Sequence, residues 1–181
     1  MMNPIKDLRS QSPNASRSWD HDGETELADT TTLARDEVLV RSLEERDLER
    51  IVRIDERLTD RHRHTYYQRK VSEALRESGI RVSLVAEHDD QVVGFIMARV
   101  DYGDFGQTQA TAIIDTIGVD PVVSGSRIGQ ALMSQLLLNL NALQVETVRT
   151  EISWQDFPLA RFLASCGFVP TQYLALSLSI D

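Results

Sequence analysis

Cysteine is almost absent from this chain of 181 residues, and long apolar runs are missing altogether. The single cysteine, Cys166, cannot form a disulfide within the chain, so a reducing compartment is the default expectation. No apolar run approaches the length of about 18 residues that indicates a membrane span. The N-terminus also lacks the continuous apolar stretch of a secretory signal. We therefore expect a cytoplasmic protein that does not act at a membrane.

Positive charge is scarce as well. The chain has 19 Lys and Arg against 28 Asp and Glu, a formal net charge of −9 at pH 7. Proteins that bind the phosphate backbone need a basic face, so the composition predicts no nucleic-acid partner. His62 and His64 stand two positions apart with no further His or Cys close by, and this spacing predicts no metal site.

The chain divides into a tail and one folded domain. Residues 1–36 hold scattered apolar positions with no period of 2 or 3.6, which predicts a flexible tail. Residues 37–181 are long enough to bury a single sizeable core. We expect them to form one domain.

Within residues 37–181, strand-like and helix-like patterns follow one another as β-α-α-β-β-β-α-β-α-β. This order predicts an α/β (α+β) fold with a mixed, mostly antiparallel sheet of about six strands and helices on both faces. The predicted strands cover 38–43, 81–90, 91–102, 110–121, 145–154 and 171–180, and the predicted helices cover 44–58, 64–78, 127–142 and 156–168.

The stretch VDPVVSGSRIGQALMSQLL, from Val119 to Leu137, joins a strand to a helix through a glycine-containing loop. Such a loop presents unpaired backbone N–H groups and the positive end of the helix dipole, which together suit a phosphate. It contains neither Gly-Lys-Ser/Thr nor G-x-G-x-x-G. A tight turn with ordinary helix caps explains the two glycines equally well, so both interpretations stay open on the residues alone.

In its context this loop resembles the acyl-CoA signature of the GCN5-related N-acetyltransferase (GNAT) superfamily, Q/R-x-x-G-x-G/A. The resemblance covers about residues 38–180, over which the order of elements agrees, and the six signature positions read SGSRIG here, from Ser124 to Gly129. The sixth position matches, whereas Ser replaces the first residue and Arg127 replaces glycine at the fourth. The resemblance implies acetyl-CoA as co-substrate, with its pyrophosphate at this loop, and no metal.

The resemblance also implies which residues bind acetyl-CoA. The amides of a central strand would polarise the thioester carbonyl where two strands splay apart. Asp156 takes the place of a family Asn near the pantetheine arm, although Asp is also a good helix N-cap. Arg127 could pair with phosphate, face solvent, or crowd a position that favours glycine. The expected cofactor-binding residues are Ile117, Gly118 and Val119 on the strand, Gly125, Ser126, Arg127, Ile128, Gly129 and Gln130 at the loop and helix start, and Asp156.

Acetyl transfer to an amine also needs a proton acceptor. Asp115 and Glu151 interrupt otherwise apolar predicted strands, where burial would raise the pKa of a carboxyl group and suit it to act as a base. Glu151 stands where the resemblance places the base of peptide N-terminal acetyltransferases; a salt bridge or an exposed edge is the structural alternative. Asp115 is the candidate base or amine anchor. Many family members have a tyrosine acid at the position of Leu163, and Tyr102 is the candidate replacement.

These residues predict an N-acetyltransferase that moves an acetyl group from acetyl-CoA to a primary amine of an unidentified small molecule or peptide by direct attack. The alternative is a non-catalytic acyl-CoA-binding or regulatory module, favoured by the changes at Ser124, Arg127 and Leu163. A third interpretation is an interaction protein that acts through residues 1–36. The resemblance also allows a possible homodimer, since some family members pair through their last strands.

Overall fold

Five strands in chain order form the sheet of this protein, for which a computed structural model describes residues 38–76, 82–101, 110–123, 127–172 and 176–180. Neighbouring strands are antiparallel except for the last pair, which is parallel. The strands are β1 (Leu39–Ser42), β2 (Leu84–His88), β3 (Gln91–Asp101), β4 (Thr111–Val119) and β5 (Thr147–Thr150). The predicted mixed, mostly antiparallel sheet is confirmed.

Four α-helices lie in the described part of the chain: α1 (Leu48–Thr59), α2 (His64–Arg76), α3 (Ile128–Ala142) and α4 (Phe157–Ser165). Short 3-10 helices at Glu45–Asp47 and Pro121–Val123 precede α1 and α3. The described part of the chain has five strands, against about six expected. Of the sixth predicted strand, over 171–180, the residues that the structure describes are not in a strand, and the tail predicted over 1–36 lies outside the described residues.

The two faces of the sheet carry separate apolar clusters. Along β3, Phe95 and Met97 belong to the cluster beneath α1 and α2, while Ile96 between them belongs to the cluster beneath α3. This alternation follows from the two-residue period of a strand. The run VVGFIMA is apolar throughout because β3 is buried on both faces.

A bulge interrupts the pairing of β3 with β4. Ala98 is opposite Ile114 and Met97 is opposite Thr116, so Asp115 is the extra residue. A bulge of this kind bends the strand and re-aims the side chains at the insertion. As a result, two successive side chains of β4, Asp115 and Thr116, both approach α2.

The parallel pairing of β4 with β5 stops halfway along β4. It joins Thr111–Ile114 to Thr147–Thr150, and the Thr150 hydroxyl donates a last hydrogen bond to the carbonyl of Ile114 at 3.0 Å. β4 continues to Val119, whereas β5 ends. Within the described residues no strand covers the far half of β4 on this side, which agrees with the expected splayed strand pair. Glu151 to Trp154, predicted as strand, are not; that part of the prediction is wrong.

Candidate active site

The far half of β4 leads directly to the N-terminus of α3. Val119 ends the strand, Asp120 and the 3-10 helix Pro121–Val123 follow, and α3 begins after Arg127. The first amides of a helix have no partner within the helix and carry partial positive charge. The chain therefore places an anion-attracting helix end beside a strand edge that no other described strand covers. Two expected cofactor residues in this loop, Gly125 and Ser126, lie outside the described residues.

Arg127 precedes α3 in a left-handed conformation, with φ 55° and ψ 17°. A residue with a Cβ pays about 1–2 kcal/mol for this conformation, and glycine does not. The position corresponds to the glycine of the acyl-CoA signature, so the backbone has the shape that favours glycine although the residue has changed. The Arg127 side chain is exposed at the mouth of the helix.

The residues expected to bind the cofactor around the N-terminus of α3 could contact it mainly through backbone atoms. Ile128 is buried, and Ile117 and Val119 pack against the same apolar cluster beneath α3. At Gly129 an added Cβ would lie 3.2 Å from Cε2 of Phe162 in α4, so a larger residue would require the Phe162 ring to shift by a few tenths of an ångström. Gln130 is exposed in the first turn of α3. Any contact of these residues with a cofactor would therefore be made by amides or by Gln130.

Gly118 faces the opposite side of the sheet. A Cβ at this position would lie 2.8 Å from Cε1 of Phe95 and 3.2 Å from Cδ1 of Leu58. A side chain here would collide with the apolar cluster beneath α1 and α2. The absence of a side chain lets Phe95 lie directly against the backbone of β4.

Asp120 fastens the start of the loop to α1. The Arg57 Nη1 donates to both carboxylate oxygens at 2.7 and 2.9 Å, and the Arg50 Nη2 donates to Oδ2 at 3.0 Å. The Val122 amide donates to Oδ1 at 3.2 Å. Burial alone would raise the pKa of Asp120, but the bond from Val122 and the two guanidinium groups outweigh it and lower the pKa. Sequence reasoning missed this residue, although an acid directly after an apolar strand was a visible signal.

Asp115 lies between two cations at the bulge. The Lys70 Nζ is 3.2 Å from its Oδ2, and the Arg99 guanidinium contacts its Oδ1. Lys70 is also 3.5 Å from Glu73 on α2. These four side chains line a cavity of about 240 Å³ between α2 and the sheet. The Asp115 carboxylate is thus paired with two cations, and a role for Asp115 as base or amine anchor stays a prediction.

A second hydrogen-bond network joins α1, α2 and β4. The Tyr67 hydroxyl donates to Asp55 Oδ1 at 2.9 Å and lies 3.5 Å from the Thr116 hydroxyl. Arg63 completes it by donating from Nε to Asp55 Oδ2 at 2.8 Å. Tyr67 has no exposed surface, and this burial raises the pKa of its phenol. The Tyr67 hydroxyl therefore lies next to Thr116, and Tyr67 does not line the cavity.

The other predicted site residues are not brought to Asp115 by the described contacts. Glu151 is exposed just beyond β5, so the burial that would have suited it to act as a base is missing. Asp156 caps α4, its Oδ1 accepting from the Leu159 amide at 3.1 Å. Leu163 is buried in the cluster beneath α3. Tyr102 lies outside the described residues.

In the part of the chain that the structure describes, no three His, Cys, Asp or Glu side chains come close enough together to hold a metal ion. No helix of the described part is both long and apolar enough to cross a membrane.

Comparison of the fold with solved structures finds many similar chains. A transcriptional regulator from Bacillus halodurans has a TM-score of 0.65 at 19% identity, covering 79% of this chain and 99% of its own. The aminoglycoside N-acetyltransferase AAC(6')-Iy in complex with CoA has a TM-score of 0.67 at 14% identity, covering 78% and 94%.

An aminoglycoside acetyltransferase from an uncultured soil metagenomic sample, in complex with sisomicin, has a TM-score of 0.63 at 16% identity, covering 81% of this chain and 98% of its own. No curated protein matches the sequence. The model of the acetyltransferase (GNAT) family matches residues 40–168, which is most of the chain and includes β4, the loop and α3. The chain belongs to the acetyltransferase (GNAT) family.

Proposed function

We propose that this protein transfers an acetyl group from acetyl-CoA to a primary amine in the cytoplasm. The observation that carries the proposal is the edge of β4 from Asp115 to Val119, which no described strand covers on the side of β5 and which leads to the N-terminus of α3. An extended arm with a phosphate at one end and a thioester at the other fits this arrangement. Family membership and a CoA-bound structural neighbour support it.

The helix end would hold the pyrophosphate through backbone N–H groups. The proposed binding residues are Gly125, Ser126, Arg127, Ile128, Gly129 and Gln130. The amides of Ile117, Gly118 and Val119 would polarise the thioester carbonyl, because fixed N–H dipoles stabilise the negative charge that develops on its oxygen. Asp156, at the start of α4, is the proposed contact for the pantetheine arm.

In the proposed reaction the lone pair of a neutral amine attacks the thioester carbonyl carbon. The C–S bond then breaks, coenzyme A leaves as a thiolate, and the nitrogen loses a proton. Asp115, beside the open edge, is the proposed proton acceptor or amine anchor, and Glu151 is the second candidate base. Leu163 has no hydroxyl to protonate the thiolate, so Tyr102 or water would supply that proton.

The acceptor is proposed to be a small molecule or a peptide. Two structural neighbours are aminoglycoside acetyltransferases, one of them in complex with sisomicin, and this supports an amine on a small molecule. Direct attack in a ternary complex fits the site, since Cys166 lies at the end of α4 and burial raises the pKa of its thiol, which disfavours the reactive thiolate.

Calorimetric titration with acetyl-CoA tests the proposal first, with coenzyme A and ATP as comparison ligands. We expect micromolar binding of acetyl-CoA and no comparable binding of ATP. A panel of amines then follows by release of the coenzyme A thiol, with Asp115→Asn and Glu151→Gln beside the wild type. Absence of acetyl-CoA binding contradicts the proposal.

A second candidate function is a non-catalytic acyl-CoA-binding or regulatory module. Two observations favour it: Arg127 occupies a left-handed position that favours glycine, and Leu163 is buried where a tyrosine acid would act. Binding of acetyl-CoA without turnover of any amine in the panel would identify this function.

Deletion of residues 1–36 tests the third interpretation, an interaction protein that acts through these residues. Such a protein would lose its function on the deletion while its domain still binds coenzyme A.

A further inference from the structure

The charged side chains that line the cavity beside Asp115 have a net charge of zero. Lys70 and Arg99 carry two positive charges, and Glu73 and Asp115 carry two negative ones. A site that recognises a polycation presents carboxylates whose charge is left uncompensated, because binding partners have complementary potentials. In this cavity the carboxylate that would face the amine is already paired with two cations. The charge distribution therefore disfavours a polycationic acceptor.

Arg99 has capacity to bind a further anion. Its side chain is 50% exposed, and the one hydrogen-bonded ion pair that it makes within the described part of the chain joins Nη1 to Asp115. A guanidinium group carries five N–H donors in a planar fork, a geometry that binds carboxylates in pairs of parallel hydrogen bonds. Lys70 is only 20% exposed and 3.2 Å from Asp115, so it fixes the carboxylate while Arg99 reaches toward solvent.

The spacing and size of the cavity set the kind of molecule that fits. Arg99 and Asp115 contact each other, so a ligand that meets both must carry its anionic and amine groups close together. The wall also includes the apolar side chains of Ala74, Met97 and Val100. The volume of about 240 Å³ is smaller than the roughly 300–1,000 Å³ typical of pockets for drug-sized ligands.

We propose that the acceptor is a small apolar α-amino acid whose carboxylate binds Arg99 and whose amine faces Asp115. This inference rests on the acetyl transfer proposed above and names the substrate class of the same site. The apolar wall accommodates the side chain of the amino acid. Arg99 is then a specificity-determining residue for the acceptor.

A matched pair of acceptors tests the inference on the full chain. L-leucine and L-leucinamide have the same side chain and differ in the negative charge; spermidine serves as the polycation. With acetyl-CoA present, we expect kcat/KM for leucine to exceed that for leucinamide by about 10-fold or more, the effect of a charge-assisted hydrogen bond. The less basic amine of leucinamide is more often neutral, so simple reactivity favours the amide. Equal or faster turnover of leucinamide or spermidine would overturn the inference.

Variants of Arg99 distinguish its binding of the acceptor carboxylate from a role in positioning Asp115. Arg99→Gln should lower kcat/KM for leucine by about 10-fold or more while changing that for leucinamide by less than about 3-fold. Arg99→Lys should restore part of the loss, because the charge returns without the planar fork. Arg53→Gln, at an exposed position of α1, is the matched control and should leave both acceptors unchanged.

Three results contradict the inference in different ways. An equal loss with both acceptors in Arg99→Gln would mean that Arg99 only positions Asp115. If the protein binds no acetyl-CoA, the proposed acetyl transfer fails together with this inference. Acetylation of amines without a preference for carboxylate-bearing ones removes this inference alone.

Discussion

Replacement of Asp120 by Asn should destabilise the fold, because the Asp120 side chain joins the segment after β4 to α1. The Asp120 side chain is 2% exposed and is held by Arg50, Arg57 and the amide of Val122. Asn keeps the shape but loses the charge, which leaves two guanidinium groups facing an amide. Breaking a fully buried ion pair costs about 3–5 kcal/mol.

The two arginines reduce this cost, because they are partly hydrated. The exposed fraction of the side chain is 25% for Arg50 and 45% for Arg57, so water can replace part of the lost interaction. We therefore expect the free energy of unfolding of Asp120→Asn to fall by about 2–3 kcal/mol. Urea denaturation followed by circular dichroism measures this difference. Glu146→Gln, at an exposed position, is the matched control and should shift it by less than about 0.5 kcal/mol.

Asp120 should also make the free energy of unfolding depend on pH. The pKa of Asp120 is lowered in the folded protein, so its contribution to stability is complete above the unfolded pKa of about 4. It is lost as the pH falls through the lower folded value. The stability difference between wild type and Asp120→Asn should thus be constant from pH 8 to 5 and shrink below about 4. A difference under about 0.5 kcal/mol at pH 7 would refute the argument from buried charge.

Further substitutions test three other features. Arg127→Gly should raise the free energy of unfolding by about 0.5–1 kcal/mol in urea, because it relieves a left-handed residue while adding freedom to the unfolded chain. If the same variant loses acetyl-CoA affinity, the side chain binds phosphate. Tyr67→Phe should cost about 1–3 kcal/mol, since it leaves the buried Asp55 short of a donor; an unchanged urea midpoint would contradict this. If the predicted homodimer uses the exposed apolar residues near the C-terminus, Leu178→Asp should sediment as a monomer and the wild type as a dimer.

The sheet could be predicted because the sequence patterns that indicate its strands and turns involve residues close together in the chain. The order of strand-like and helix-like patterns along the chain predicted a mixed, mostly antiparallel sheet, and the glycine-containing loop after β4 indicated a helix start suited to an anion. Both depend on neighbouring residues. The position of Arg127 was recognised as one that favours glycine, and its left-handed backbone gives the physical reason.

The parts that the sequence did not indicate depend on partners far along the chain. The alternation of VETVRTEISW determines which face each residue would occupy, but the length of β5 depends on where β4 diverges from it. Pairing stops at Thr150, so Glu151 falls outside the strand. The bulge at Asp115 likewise arises from register with β3 and has no local sign. Lys70 and Arg99 become part of the site only when α2 and β3 meet there.

The bonds of Asp120 also constrain the order in which the molecule can assemble. They join it to residues 63 and 70 positions earlier, so a long loop must close before they form. During synthesis α1 leaves the ribosome well ahead of β4. Arg50 and Arg57 therefore have no Asp120 carboxylate to bind until the later segment has been made. Asp120 can therefore join α1 to the segment after β4 only once that helix lies against the sheet, and a chain cut before Asp120 lacks this contact.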